Sequence, residues 1–405
     1  QTSAAARFSD QARFAFPEQA GAAIAGLDRS LTQRYLQQYS GKAGLAYLEA
    51  AMERGGPYLA FIRQEVAARN MPPELVYLPV IESGFHSAAV SRSGAAGLWQ
   101  FMRNSIGGYG MGITDYADER MDFWKSTQGA LKKLEDNYKA LGDWPLALAA
   151  YNAGLGAMTR LMRETGIRDY WTLAEKRLLK TETIHYVPKL LAVSRILSNP
   201  RRYGLSPPWP EDPQWIRIPV DRSVELDLLA EYAGLDGELL KKGNAELRNG
   251  ITPPRDYRLK VPQADAPAAL AALESGDLPL LRYHIHTIAY SDTLSALALR
   301  YGVTVEQILA ANPGTEELLL QIGRKLRVPA LAGGSSPQAE FPAAALANSG
   351  MAFEGSHPVR RGETLWSIAR LYQVDPRALA EANGMGLNDM LREGRILKTP
   401  AKNEE

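Results

Sequence analysis

A stretch of this chain repeats itself, and the repeat limits the fold more than any other feature. Asp292-Thr293-Leu294, Leu297-Ala298, Tyr301, Val303, Ile308, Asn312, Gly323-Arg324, Leu326 and Pro329 recur after a gapless shift of 71 positions. The second copy reads Glu363-Thr364-Leu365, Ile368-Ala369, Tyr372, Val374, Leu379, Asn383, Gly394-Arg395, Leu397 and Pro400. Apolar, polar and turn positions coincide, so each copy is one supersecondary unit. A fainter copy precedes them, with Leu226, Leu229-Ala230, Leu235, Leu240, Asn244, Leu259 and Pro262; it has Val224 where the others have Thr and Ala233 where they have Tyr. Each copy reads strand, helix, helix, strand. Residues 284–288 and 324–328 alternate at the strand period, and Thr293 or Thr364 stands where a helix N-cap belongs. A unit of about 45 residues buries only a small core, so its use lies in repetition. Ala/Pro/Ser/Gly-rich linkers are expected at about 264–280 and 331–355.

The N-terminal half has a different period. From about 43 to 200 the apolar residues follow helical spacing, as in Tyr58, Phe61, Ile62 and Val66, with Pro57 read as the first turn of a helix. A Gly- and Ser-rich interruption at 91–122 fits tight turns around a cleft. A proline-rich connector at 199–214 marks a boundary. The expected plan is an N-terminal extension at 1–42, a helical domain at 43–205, and repeat modules at 215–263, 282–330 and 356–400.

Bulk properties remove several function classes. A net charge of +1 supplies no basic face for nucleic acid. With no cysteine, disulfide frameworks, zinc ribbons and cysteine nucleophiles are excluded. No apolar run reaches the roughly 18 residues of a membrane span. The chain starts at Gln1, which reads as a processed or trimmed form whose signal peptide or lipid-carrying cysteine would have preceded it. No nucleophile elbow or phosphate loop is present. His284 and His286 share a strand face, but the second repeat has no such pair, so no metal and no cofactor is expected.

Chemistry points to Glu82. It ends the apolar run Val76-Tyr77-Leu78-Pro79-Val80-Ile81, and on a helix it shares a face with Leu75, Leu78 and Pro79. A carboxyl against an apolar wall is harder to ionise, so its pKa rises toward neutrality, as a general acid for glycosidic cleavage requires. Three further stretches carry sugar-binding side chains: Gly97-Leu98-Trp99-Gln100-Phe101-Met102, Ala150-Tyr151-Asn152-Ala153-Gly154, and Thr183-Ile184-His185-Tyr186. Trp and Tyr offer apolar faces, while Gln, Asn and Tyr hydroxyls offer directed hydrogen bonds.

In this order, Glu82-Ser83, Gly97-Leu98-Trp99-Gln100, Ala150-Tyr151-Asn152-Ala153-Gly154 and Tyr186 resemble the four motifs of the soluble-lytic-transglycosylase family. The resemblance spans about residues 70–190. It implies a mainly α, goose-lysozyme-like catalytic domain that cleaves the β-1,4 bond between N-acetylmuramic acid and N-acetylglucosamine in peptidoglycan, leaving 1,6-anhydro ends. It implies Glu82 as the single acid/base, Ser83 and Tyr186 as residues orienting it or the substrate, Gln100, Tyr151 and Asn152 as subsite residues, and Trp99 and Met102 as groove-shaping. The repeats resemble LysM modules of βααβ form, which bind N-acetylglucosamine polymers. The likeness points to Asp292, Thr293, Glu363 and Thr364 as glycan contacts, and leaves the 215–263 copy between a sugar binder and a packing module. Several weak modules raise retention on a polymer.

Together these features imply a periplasmic, outer-membrane-associated lipoprotein of a Gram-negative bacterium, acting on glycan strands. A hydrolytic muramidase using Asp115 or Asp118, and an inert peptidoglycan-binding scaffold, are the competing readings.

Overall fold

The computed structural model describes residues 24–207, 213–275, 278–290, 292–313 and 320–330 and, in the last repeat, 353, 355–359, 368–369, 372, 376–385 and 394–400. The chain divides into two compact units, Gln1–Leu281 and Arg282–Glu405.

The first unit is built on helices α1 (Ser30–Ser40), α2 (Lys42–Ala68), α3 (Leu78–Glu82), α4 (Phe123–Leu141), α5 (Trp144–Ala153), α6 (Leu155–Thr165), α7 (Tyr170–Glu175) and α8 (Thr181–Leu197). Helix α5 is its axis. Leu146 to Ala150 have no exposed surface, and α5 packs on α4, α6 and α8. A helix apolar on every side must lie in a core. Asp143 caps it by accepting from the Leu146 N–H at 2.9 Å, Pro145 sits in its first turn, and Gly154 ends it at φ +93°.

Two expectations change here. Pro57 lies inside α2, which runs unbroken from Lys42 to Ala68, so it does not start a helix. The apolar face continues through it and outweighs its missing N–H, and the adjacent Gly55 admits the Phe85 ring, which a Cβ would approach to 2.9 Å. Part of the proposed N-terminal extension also belongs to the helical core. Helix α1 lies along α8, Tyr35 O–H meets His185 Nδ1 at 3.0 Å, and Ile24 is buried with its N–H on Glu74. Residues 1–23 lie outside the described ones.

The first repeat module is part of this unit. Strands β1 (Trp215–Val220) and β2 (Tyr257–Pro262) pair antiparallel, flanked by α9 (Leu226–Ala233) and α10 (Gly237–Gly243). The expected linker at 264–280 is largely helix α11 (Ala266–Glu274), whose Ala266, Ala269, Ala272 and Leu273 are buried against α9 and β1. Its alanines are a helix face and not a spacer.

The second unit holds β3 (Tyr283–Thr287) paired with β4 (Lys325–Pro329) around α12 (Leu294–Tyr301) and α13 (Val305–Ala310), and β5 (Gly355–Pro358) paired with β6 (Ile396–Thr399) beside a helix at Pro376–Ala382. Each pair has its own small core, around Leu297, Ile308 and Val328 in one and Ile368, Leu379 and Leu397 in the other. One asparagine holds each module shut. The Asn244, Asn312 and Asn383 amides donate across to the Lys260, Arg327 and Lys398 carbonyls, and their oxygens accept from the same residues' N–H groups.

Candidate active site

Glu82 is the last residue of α3, a single turn walled by Leu78, Pro79 and Val80, all buried. Its half-buried side chain lines a cavity of about 320 Å³ with Tyr47, Arg54, Ser83, His86, Val90 and Gln100 among the other walls. Tyr186 donates its hydroxyl to Glu82 Oε1. Burial raises the Glu82 pKa to about 7, opposed by the Tyr186 hydrogen bond and the Lys133 charge. At neutral pH the carboxyl is therefore poised between its two forms.

The backbone around it is built to hold this geometry. Gly84 and Phe85 follow with φ of +60° each, turning the chain sharply away after the carboxyl. Gln100 sits at φ +51°. Positive φ in a buried aromatic and in a glutamine costs free energy and persists only where the surroundings over-determine it. Gly97 must be glycine: at φ +82° a Cβ would fall 1.9 Å from the Arg120 carbonyl oxygen. Arg120 also donates to the Gly94 and Phe101 carbonyls at 2.6 and 3.2 Å, tying that loop down.

Tyr186 lies in α8, which continues through Pro188. Pro188 has no N–H for the Ile184 carbonyl, and the Tyr170 hydroxyl donates to it at 2.8 Å. Tyr151, near the end of α5, donates to the Trp99 carbonyl at 2.9 Å.

The other expected residues divide into two groups. Ser83 donates to the Leu98 carbonyl at 2.9 Å and binds α3 to the Gly97 loop; Gln100 lines the cavity and donates to the Gly97 carbonyl at 2.9 Å. Asn152 joins α5 to α8, accepting from Thr183 at 2.8 Å and donating to Glu182 at 3.0 Å. Met102 is exposed, at 38 %. Trp99 is a correction to the sequence reading: its ring has no exposed surface and donates to Thr127 Oγ1 at 2.9 Å. It belongs to the core and offers no face to a sugar. Asp118 is held by Arg120 in a two-point ion pair of 2.9 and 2.7 Å. Burial raises its pKa, but the bonds and charge of Arg120 outweigh this and hold it low.

Sequence reasoning missed Lys133. Its ammonium lies 4.4 Å from the centre of the Tyr151 ring, and burial lowers its pKa while the Glu82 charge opposes that. The readable signal was a lysine one turn from Ala130 and Asn137 on the buried face of α4.

In the second unit, Asp292 accepts from the Ala289 N–H at 2.6 Å and pairs with His286 Nε2 at 2.7 Å; the other His286 nitrogen meets Tyr301 O–H at 3.1 Å. Thr293 caps α12 through the Ala296 N–H at 3.1 Å. Both side chains thus hold the loop, while Tyr290 and Ile322, which the sequence did not single out, are exposed beside it at 77 % and 64 %. Glu363 and Thr364 lie outside the described residues.

Known families match along the chain in the order of these elements. Residues 60–174 match the transglycosylase SLT domain, 214–277 the LysM-like domain of lytic transglycosylase MltD, and 286–329 and 357–400 the LysM domain. Membrane-bound lytic murein transglycosylase D of Escherichia coli K12 is 33% identical over 367 residues, covering 86% of this chain and 76% of that protein. The chain belongs to the lytic murein transglycosylase D family. Its fold is accordingly a mostly helical, lysozyme-like SLT domain followed by LysM modules with small strand pairs. An N-acetylmuramoyl-L-alanine amidase of Staphylococcus epidermidis is 31% identical over 116 residues, 29% of this chain and 33% of that one. The lytic transglycosylase Slt of Pseudomonas aeruginosa, solved as an inactive mutant, aligns at 20% identity and a TM-score of 0.29, over 36% of this chain and 25% of that chain.

Proposed function

We infer that this protein is a peptidoglycan lytic transglycosylase and that Glu82 is its single acid/base. Protonated, Glu82 gives its proton to the oxygen linking N-acetylmuramic acid to N-acetylglucosamine, and that C–O bond breaks. The resulting carboxylate then takes the proton of the muramyl C6 hydroxyl, whose oxygen closes on C1 to give the 1,6-anhydro ring. No water is consumed. Tyr186 orients the carboxyl, and Ser83 and Gln100 fix the loop beside it. Tyr151 and Asn152 brace the wall formed by α5.

One observation carries this reading: a carboxyl with its pKa near 7 is the only acid among the described residues that line its cavity. A two-carboxylate hydrolase needs a partner at a set separation. Asp118, offered by the sequence for that role, is committed to Arg120.

The LysM modules of the second unit hold the enzyme on its polymer, with Tyr290 and Ile322 flanking the loop that Asp292 and Thr293 organise, and with Glu363 and Thr364 as the residues that correspond to Asp292 and Thr293 in the repeated sequence. The same reading places the protein in the periplasm of a Gram-negative bacterium, at the outer membrane through a lipid. Among the described residues no helix is long and apolar enough to cross a membrane.

Digesting purified sacculi and weighing the muropeptides tests the chemistry. Anhydro ends, one water lighter than reducing ends, are expected from the wild type and none from Glu82→Gln. Reducing ends would show hydrolysis instead.

A further inference from the structure

The cavity around Glu82 continues into a second one of about 600 Å³, and the two share Arg54, His86, Ala89 and Val90. The second cavity is bordered by Lys242, which comes from α10 of the first repeat module and not from the catalytic helices. Three features fix it there. The Lys242 carbonyl accepts from Tyr58 O–H at 3.1 Å. The neighbouring Gly243 lies against the Trp215 ring, which a Cβ would approach to 2.4 Å. Lys260 of the same module is bonded to Asp122 at the start of α4. The Lys242 side chain itself is exposed. Arg54 is anchored from below through Nε, which donates to the Gly84 carbonyl at 2.8 Å.

The lining tells what this cavity accepts. A further sugar ring would want an exposed aromatic face. The aromatics here, Tyr58 and Phe85, are buried, at 2 % and 1 % exposure. What the cavity does present is the anchored Arg54 guanidinium, the exposed Lys242 ammonium on a fixed backbone and the His86 imidazole, with Glu53 as its one acid. That set suits a ligand bearing carboxylates. On a peptidoglycan strand such groups belong to the peptide hung from the muramyl lactyl ether, or to the lactyl carboxylate itself where the peptide has been removed. The second cavity reaches beyond the one at Glu82, as far as Lys242, which favours the longer appendage.

We propose that this second cavity is a subsite for the peptide carried by the glycan strand, with Arg54 and Lys242 as its cations, and that the repeat module thereby sets substrate preference. The proposal rests on the lytic reading of Glu82.

Uncross-linked strands with peptides, and the same strands stripped by an amidase so that only lactyl carboxylates remain, separate the two sources. The wild type is expected to show a kcat/KM about three- to fivefold higher on peptide-bearing strands, the size of one or two exposed ion pairs, with the ratio shrinking as salt rises. Lys242→Ala should bring the ratio close to one and Lys242→Arg should keep it, with both variants melting like the wild type. Equal rates of the wild type on both strands, a ratio unchanged in Lys242→Ala, or a preference for stripped strands would overturn the proposal. Anhydro products that form at equal rates would sink the subsite alone, whereas no anhydro product from either strand would sink the lytic reading with it.

Discussion

Lys260 and Arg327 stand at the same place in two copies of one βααβ unit, each offering its N–H and carbonyl to the module's asparagine. Arg327 is exposed, as is Lys398 in the last module. Lys260 is buried, and its ammonium bonds Asp122 at 2.9 Å and Glu246, which also accepts from Tyr257. The surroundings differ in the same sense. The Asp118 N–H donates to the Glu246 carbonyl and the Arg248 N–H to the Tyr116 carbonyl, both at 2.9 Å, and Trp215 Nε1 donates to the Pro57 carbonyl. The loop after β1 is closed by backbone bonds of Glu225 to Leu280 and of Leu226 to Gly250, both at 2.8 Å. One fold has thus been turned from a module with an open loop into a fixed wall of the catalytic unit, with a surface cation converted to an internal bolt.

The largest effect should come from pulling that bolt. Lys260→Met leaves Asp122 and Glu246 buried without their cation, and loss of one partner of a buried ion set costs about 3–5 kcal/mol. Arg327→Ala should stay within about 0.5 kcal/mol. Thermal melting of both variants checks the contrast, and a mild loss for Lys260→Met would break it.

A smaller effect separates the catalytic unit from the modules by pH. The folded pKa of Glu82 lies above its unfolded value, so its contribution is fully present at low pH and is lost as pH rises toward about 7. Glu82→Gln removes that loss. The variant should match the wild type near pH 4 and exceed it by about 1–2 kcal/mol at pH 8, allowing for partial solvent access. Melting curves of the first unit at both pH values test this, and a variant less stable at pH 8 would contradict it.

The smallest effects concern the N-cap position. Thr293→Ala should cost its module about 1 kcal/mol. In the first module the structure puts Glu225 at that position, one residue after the Val224 that the sequence set opposite the threonines; Glu225→Thr should change stability by less than about 1 kcal/mol and should not create binding to N-acetylglucosamine oligomers. Calorimetric titration that finds such binding would reopen the first module as a sugar site.

Much of this was legible in the sequence because it is periodic or local. The repeats, their asparagines and the Glu82 run could be read from spacing and composition alone. The departure at Ala233 already set the first module apart. What escaped depends on contacts between distant segments. Trp99 looks like a sugar platform until the fold buries it against Thr127. Lys133 looks like one of two surface lysines until Tyr151 closes over it. The alanines of 266–274 read as a linker because their partners in α9 and β1 lie more than thirty residues away. Lys260 gives no sign of burial, since the same basic position is exposed in its sister modules.

The central claim is that Glu82 acts as a neutral acid whose ionisation is set by burial and by Lys133. The pH profile of kcat/KM for release of anhydro-muropeptides tests it most directly. The wild type should lose activity as pH rises through about 7, and Lys133→Met, which removes the charge favouring the carboxylate, should move that fall to higher pH. A fall centred in the ordinary carboxylate range near 4.5, or one that Lys133→Met leaves in place, would contradict the account.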